Sequence, residues 1–154
     1  MFGEEISTKV SSPEKKGMQN VHESSTRLEN KYADIFHSIL AKLLWVAKRG
    51  RHDIKPAISF LCTRVTKSTK EDKAKLRRLL QYLKHTIDYK RIMGADSLSQ
   101  FFTWFDAAYG VYPNLKIHTG SCMYFGYGMV HCKFIKKKLK TKSSTKAELV
   151  GVSD

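Results

Sequence analysis

The chain has 154 residues, and its 28 lysine and arginine residues against 14 aspartate and glutamate residues give a formal net charge of +14. A content of 42% hydrophobic and 11% aromatic residues is too apolar for a disordered basic tail, so part of the chain can bury a core. The charge predicts a polyanionic partner, most simply a nucleic acid, with an anionic membrane surface as the weaker alternative.

Membrane insertion and secretion are not expected. No stretch approaches the ~18 consecutive apolar residues of a transmembrane helix. The first twelve residues, MFGEEISTKVSS, carry early acids and no apolar run, which argues against a signal peptide. The three cysteines, Cys62, Cys122 and Cys132, are odd in number and irregularly spaced, so we expect reduced thiols and an intracellular protein, in the cytoplasm or the nucleus.

The charge is unevenly distributed. Residues 1–30 hold four basic and five acidic side chains and few apolar ones, so we interpret residues 1–31 as a flexible polar leader. Residues 31–93 hold 16 basic and five acidic side chains, which is most of the surplus.

Residues 32–93 have the pattern of a helical unit. Apolar side chains at helical spacing predict a first helix over residues 32–49 that stops at Gly50. Pro56 is a suitable start for a second, short helix. A capping box with Ser68 as N-cap and Glu71 reaching back predicts a third helix. Its buried face is expected to carry five apolar residues: Leu76, Leu79, Leu80, Leu83 and Ile87.

The remaining faces of this third helix are strongly basic. Charges on the outside of a helix are usually only a solvated face, but the surplus here is large enough that a polyanion would relieve its self-repulsion. The side chains predicted to contact phosphates are Lys73, Lys75, Arg77, Arg78 and Lys84.

After Gly94 the pattern becomes that of strands. Residues 100–109 are aromatic and β-prone, and residues 122–127 and 129–134 predict a hairpin around Gly126 and Gly128. We expect residues 134–144, FIKKKLKTKSS, to form a basic loop, and a last helix to begin near Thr145. The predicted fold class is therefore α+β.

Two carboxylates form the candidate catalytic group. Asp106 is an acid inside the aromatic strand, and Glu148 opens the last helix. Brought together, they could bind Mg²⁺ through oxygen ligands. The alternatives are that Asp106 caps a turn at a strand end and that Glu148 is the capping-box partner of Thr145.

Several segments resemble one family. FHSILAKLLWVAKRGRHDI and AISFLCTRVTKSTKEDKAKLRRLLQYLKHTID, followed by TWFDAAYG, IHTGSCMYFGYGMVHCKF and TKSSTKAELVGVSD, resemble in order and spacing the Pol polyprotein of copia-type LTR retrotransposons. The resemblance covers residues 32–154. It implies a basic helical unit like a reverse-transcriptase thumb and connection over residues 32–93, then a truncated ribonuclease H-like hairpin-and-helix segment over residues 99–154.

The resemblance also implies roles for single residues. Asp106 matches the first catalytic aspartate of the ribonuclease H and Glu148 its catalytic glutamate, so both would ligate Mg²⁺ for cleavage of RNA in an RNA–DNA hybrid. The chain has no adjacent aspartates, so polymerisation is not expected, and we expect the other ribonuclease H acids to lie beyond Asp154. The isolated chain is then an inactive fragment that binds RNA–DNA hybrid or DNA, and other Pol segments are possible partners. The alternatives are a non-catalytic nucleic-acid-binding protein derived from the fragment, or a ribonuclease H completed by another chain.

Overall fold

The computed structural model describes residues 6–108, 116–140 and 143–152, without the side chains of residues 139 and 140. The chain divides into two compact units, one formed by Met1–Met18 and His22–Tyr89 and the other by Gln19–Val21 and Lys90–Asp154. The described residues form four α-helices and two small antiparallel sheets, so the predicted α+β class is confirmed. None of the helices in these ranges has the length and apolar character needed to cross a bilayer.

Three helices form the first unit. They are α1 (Asn30–Arg49), α2 (Lys55–Cys62) and α3 (Lys70–His85), with short 3-10 turns at His52–Ile54 and Val65–Lys67. As predicted, α1 ends at Gly50 and α2 has a proline in its first turn. Their apolar faces meet in one core, whose fully buried large side chains are Phe36, Leu40, Ile54, Ile58, Phe60, Leu61, Leu76 and Leu79.

The start of α3 differs from the prediction by one residue. The N-cap is Thr69, whose hydroxyl accepts a 3.3 Å hydrogen bond from the Asp72 amide. In return, the Asp72 carboxylate accepts a 3.0 Å bond from the Thr69 amide. The predicted cap, Ser68, and its partner Glu71 were therefore wrong. Both four-residue windows match the motif, and burial decides between them, because Asp72 is 2% exposed and also pairs with Arg64 at 3.3 Å.

The end of α3 also departs from the prediction. Ile87 is 79% exposed, because the helix stops at His85, before the next turn could bring Ile87 onto the buried face. Tyr82 takes a buried place instead, at 6% exposure, and its hydroxyl donates a 2.8 Å hydrogen bond to Asp53. Arg51 binds the same carboxylate at 2.8 Å and the Thr86 carbonyl at 2.8 Å, so the α1–α2 connection is tied to the end of α3.

The predicted leader lies along α3. Residues 6–29 contain no helix and only one isolated bridge, between Arg27 and Thr69. The chain runs antiparallel to α3, from the Ile6 carbonyl, which accepts a bond from Lys84, to the backbone bonds beside Thr69. Met18 is 6% exposed and belongs to the core. The flexibility of the leader stays a prediction.

The second unit contains the strands and the last helix. Its elements in chain order are β1 (Gly94–Ala95), β2 (Phe102–Ala108), β3 (Lys116–Tyr124), β4 (Gly126–Tyr127), β5 (Met129–Lys140) and α4 (Ser144–Val152). The main sheet has the order β2-β3-β5, and β1 pairs with β4 in a two-stranded sheet. The predicted hairpin is present as β3 and β5, and the predicted aromatic strand as β2. The end of that prediction, at Tyr109, lies outside the described residues.

Two glycines allow the tight connection between the antiparallel strands β3 and β5. Gly126 has φ +148° and Gly128 has φ +71°, backbone conformations that residues with a Cβ rarely adopt. A Cβ on Gly128 would lie 2.1 Å from the Ile92 carbonyl oxygen, and one on Gly126 would lie 2.7 Å from the Asp96 amide. The turn therefore needs glycine for both φ and space.

The predicted basic loop was wrong over most of its length. β5 continues through Lys140, and Lys136 pairs with His118 on β3. The lysine run suggested a solvated loop, but β5 is an edge strand of the main sheet, where lysines are common because they discourage pairing with other chains. Residues 141 and 142 of the predicted loop lie outside the described residues.

The helix α4 packs on β2 and β3 through small side chains. A Cβ on Gly151 would lie 3.7 Å from the Ala107 Cβ and 3.5 Å from the Thr119 Cγ2, and Ala107 and Thr119 are themselves cross-strand partners. The helix and the sheet can therefore approach closely at this point.

Candidate nucleic-acid interface and carboxylate pair

The five basic side chains predicted to bind phosphates do not form one surface. Lys73 and Arg77 are four residues apart and share one side of α3, while Lys75 and Arg78 are three apart and share another. Each pair lines its own cavity, which we name the Arg77 cavity and the Arg78 cavity. Lys84 lines neither; its ammonium donates a 2.6 Å hydrogen bond to the Ile6 carbonyl.

The Arg77 cavity has a volume of about 500 Å³ and is open to solvent. Four cations and one acid surround it, together with one aromatic ring and small or apolar side chains. Its residues are Thr26, Arg27, Leu28, Glu29, Tyr32, Lys70, Lys73, Ala74 and Arg77. This excess of positive charge on a concave surface favours an anionic ligand.

Arg27 reaches this cavity because backbone bonds hold its segment beside the start of α3. The Leu28 amide donates to the Ser68 carbonyl at 3.0 Å, and the Lys70 amide donates to the Thr26 carbonyl at 2.9 Å. These two bonds flank the Arg27–Thr69 bridge. Arg27, which belongs to the predicted leader, is therefore held beside the cations of α3.

The Arg77 cavity also offers an aromatic surface. The Tyr32 ring is 37% exposed, and the Lys73 ammonium lies 5.6 Å from its centroid. Such a ring can stack on a base while the neighbouring cations contact phosphates. Tyr82, in contrast, is buried and cannot stack on a base.

On the other side of α3, part of the charge is already paired. Lys75 forms an ion pair with Glu71 at 3.1 Å, and Glu71 also binds His22 at 3.0 Å. Burial raises the pKa of the Glu71 carboxyl, but the hydrogen bonds from His22 and Lys75 outweigh it, so the pKa is lowered overall. Arg78 donates a 3.3 Å bond to the Ser12 hydroxyl.

The two candidate catalytic carboxylates come together at one place in the second unit. Asp106 on β2 and Glu148 on α4 both line a cavity of about 160 Å³, which we name the Asp106 cavity. Both acids lie next to the point where Gly151 of α4 approaches Ala107 of β2. Asp106 directly precedes Ala107, and Glu148 lies one helical turn before Gly151, so this contact brings both acids to one place. Both side chains are exposed to solvent.

The capping role considered for Glu148 was wrong. The Ser143 hydroxyl accepts a 3.3 Å bond from the Lys146 amide, and the Ser143 carbonyl accepts one from the Ala147 amide at 3.2 Å. Ser143 is thus the residue that caps α4, and the position for its reciprocal partner is Lys146. Glu148 has no part in the cap and is directed by α4 to the Asp106 cavity.

The donor set of the Asp106 cavity suits a hydrated magnesium ion but not a two-metal site. Mg²⁺ is commonly held by one or two carboxylates together with water and substrate phosphates. In the part of the chain that the structure describes, no group of three or more His, Cys, Asp or Glu side chains could hold a metal ion. Asp106 and Glu148 could therefore supply two oxygen ligands to one ion, while a two-metal centre needs more carboxylates.

Sequence reasoning missed Arg27, Lys70 and Tyr32. Lys70 stands at the start of α3, and Tyr32 has the helical spacing of a half-buried residue. Arg27 lies in the polar segment interpreted as a flexible leader, which has no apolar periodicity. No local sequence signal connects Arg27 with α3; its place follows from the bridge between Arg27 and Thr69 in the folded chain.

No protein-family model, no curated protein and no solved structure matches this chain. The resemblance to copia-type Pol polyproteins therefore stays a prediction that depends on the sequence segments quoted above.

Proposed function

We propose that this chain is a fragment of a copia-type retrotransposon Pol polyprotein and that it binds nucleic acid, as RNA–DNA hybrid or as DNA, through the Arg77 cavity. The observation that carries the proposal is the convergence of four cations, Arg27, Lys70, Lys73 and Arg77, on one open concave surface with a single acid. Phosphate contacts of this kind supply most of the affinity of non-specific nucleic-acid binding.

The exposed Tyr32 ring supports a nucleic acid over other polyanions. An anionic lipid surface or a polyphosphate would use the cations alone, while a nucleic acid also offers bases that stack on an aromatic ring. In this proposal the cations position the strand and Tyr32 contributes a contact that does not depend on base identity.

The test is the salt dependence of binding to a mixed-sequence RNA–DNA hybrid, measured by fluorescence anisotropy. Four phosphate contacts predict a slope of log K against log salt of about −3 to −4. The double variant Lys73→Gln/Arg77→Gln should reduce the magnitude of that slope by about 2.

The matched control is Lys9→Gln/Lys42→Gln, which removes the same charge from two exposed lysines that line none of the three cavities described above. This control should keep most of the slope. The proposal fails if the unmodified chain does not bind at about 50 mM salt or binds with a slope near zero.

A second candidate function has support of its own. Asp106 and Glu148 share a cavity, as a ribonuclease H-type magnesium site would require. In this proposal they hold Mg²⁺, which would polarise the scissile phosphate and help to activate a water for RNA cleavage once another chain supplies the missing acids.

This second candidate is tested by Mg²⁺-dependent cleavage of the RNA strand of a hybrid, measured with the purified chain alone and with a second chain that supplies the remaining acids; absence of cleavage in both would contradict it. Cleavage should be lost in Asp106→Asn and in Glu148→Gln and kept in Asp96→Asn, an acid that does not line the Asp106 cavity. Absence of cleavage by the purified chain at every Mg²⁺ concentration would exclude an autonomous enzyme.

A further inference from the structure

The Arg78 cavity is a second concave site, separate from the four cations of the Arg77 cavity to which the proposed function assigns nucleic-acid binding. It has a volume of about 370 Å³ and lies between the leader and α3. Only Ala74 is shared with the Arg77 cavity. Its residues are Lys15, Lys16, Gly17, Met18, Glu71, Ala74, Lys75 and Arg78.

An anchored turn presents the two lysines of this cavity. The Met18 amide donates a 2.9 Å hydrogen bond to the Lys15 carbonyl, and Gly17 has φ +77°, which closes the turn. Met18 is 6% exposed, so its side chain fastens the turn to the core. Lys15 and Lys16 are therefore carried on an ordered backbone, although their side chains are exposed.

The charges in the cavity are not balanced. Glu71 is the only acid of the lining, and it is engaged by Lys75 at 3.1 Å and by His22 at 3.0 Å. Lys15, Lys16 and Arg78 form no ion pair with any carboxylate of the described residues. Three cations thus face the cavity without a matching negative charge.

Arg78 gives the strongest indication of a ligand. Its Nη2 donates a 3.3 Å bond to the Ser12 hydroxyl, which itself donates a 2.6 Å bond to the Glu14 carbonyl. Its Nε is buried and has no hydrogen-bond partner among the described residues. A buried guanidinium donor is normally hydrogen-bonded, so Arg78 Nε is available to an acceptor oxygen of a bound anion.

A phosphate monoester fits this requirement better than a carboxylate. It carries a charge of about −1.5 to −2 at neutral pH and three strong acceptor oxygens, which matches several unpaired cations. The planar guanidinium of Arg78 can bind two of these oxygens at once, while the lysines act as point charges.

We propose that the Arg78 cavity binds a phosphate monoester group, held by Arg78, Lys15 and Lys16. The group could belong to a small phosphorylated molecule or to the terminal phosphate of a nucleic acid. The proposal does not depend on nucleic-acid binding by the Arg77 cavity, because different cations carry it.

The test uses the full chain and calorimetric titration with two kinds of probe. One is adenosine 5′-monophosphate beside adenosine, and the other is a 5′-phosphorylated single-stranded oligonucleotide beside its 5′-hydroxyl counterpart. In each pair the phosphorylated probe should bind more tightly. A preference seen only in the first pair identifies a small ligand and one seen only in the second identifies a nucleic-acid end; both support the proposal.

Two variants locate the site. Arg78→Gln and the exposed pair Lys15→Gln/Lys16→Gln should each weaken binding of the phosphorylated probe about tenfold, through loss of charge-assisted hydrogen bonds. The lysine pair keeps the test valid if Arg78→Gln does not fold. Lys73→Gln/Arg77→Gln should keep the preference for the phosphorylated member of each pair while weakening hybrid binding, so the two proposals can fail separately. No preference for either phosphorylated probe, or an unchanged affinity in both variants, would overturn the inference.

Discussion

Cys122 on β3 and Cys132 on β5 are directly opposite partners in the antiparallel ladder. Neither of them forms a disulfide in the structure; Cys132 is buried and Cys122 half-buried. Opposite residues of an antiparallel pair have Cα atoms about 4.5–5.5 Å apart, which falls within the span of about 4.4–6.8 Å that a disulfide accepts. The odd cysteine count indicated reduced thiols, and only the strand register shows that two of the three are neighbours.

We therefore expect mild oxidation with diamide to join Cys122 to Cys132. Cys62 should remain a thiol, because it lies in α2 and not opposite another cysteine in a strand ladder; burial also raises its pKa, although Lys48 acts in the opposite direction. Peptide mass spectrometry would identify the cross-linked pair, and Cys132→Ser should abolish it. A bridge that contains Cys62 would contradict the register of β3 and β5, and no bridge in the unmodified chain would contradict the expected cross-link.

The cap of α3 predicts a graded loss of stability. Thr69→Ala removes the cap hydroxyl and should cost about 1 kcal/mol of unfolding free energy. Asp72→Ala should cost more, about 2–4 kcal/mol, because it breaks the cap and leaves the Arg64 guanidinium without its buried partner.

Urea denaturation measures both changes in the α3 cap. Ser68→Ala is the control that separates the observed cap from the one expected from sequence, and a larger loss for Ser68→Ala than for Thr69→Ala would show that the cap is misassigned.

The Tyr82–Asp53 hydrogen bond predicts an acid-dependent contribution to stability. Burial raises the pKa of Asp53, but the bonds from Arg51 and Tyr82 outweigh it and lower the pKa below 3.8. The stabilisation is thus present above pH 3.8 and is lost as the pH falls through the lowered value. Asp53→Asn should make the difference in stability between pH 7 and about pH 3 smaller.

Tyr82→Phe tests the same network at pH 7. The loss of its hydrogen bond to Asp53 should cost about 1 kcal/mol, since the carboxylate is partly exposed. Tyr89→Phe is a suitable control, because Tyr89 is 66% exposed. Equal stability of Tyr82→Phe and the unmodified chain would show that this bond contributes nothing.

The glycines of the second unit predict opposite responses to alanine. Gly128→Ala should destabilise the unit by about 2 kcal/mol or more, because φ is positive and the new Cβ would collide with the Ile92 carbonyl. Gly151→Ala should be neutral or stabilising, since its Cβ meets only ordinary contacts and alanine favours the helix. Thermal unfolding followed by circular dichroism distinguishes the two variants. Equal melting temperatures would argue against the backbone conformation of Gly128 in the connection between β3 and β5.

Much of the first unit could be predicted from the sequence. The helices follow from apolar residues at helical spacing and from Gly50 and Pro56, which are local signals. The errors lie at the ends of α3, where Ser68 and Thr69 offer equivalent caps and where Ile87 continues the apolar spacing beyond the helix. The sequence around each end of α3 is compatible with two arrangements. Burial of Asp72 selects Thr69 as the cap, and burial of Tyr82 leaves Ile87 exposed.

The candidate sites show the same limit more strongly. Lys73 and Arg77 could be named from charge, and Asp106 and Glu148 from setting and resemblance, but their neighbours could not. Two backbone bonds to the segment before α3 bring Arg27 to the cavity that Arg77 lines. A turn anchored by Met18 brings Lys16 to the cavity that Arg78 lines. Contacts between residues 50 or more positions apart leave no periodic signal in a single sequence.

By itself, the sequence determined the positive charge, the α+β class and the three-helix unit, because composition and short-range spacing specify these properties. The two candidate carboxylates were named from their setting and from the family resemblance. Only the tertiary structure decided that the cations of α3 divide between two cavities, that the leader contributes to both, and that Asp106 and Glu148 share a third. These arrangements depend on which distant surfaces bury each other, and that choice follows from the packing of the whole unit.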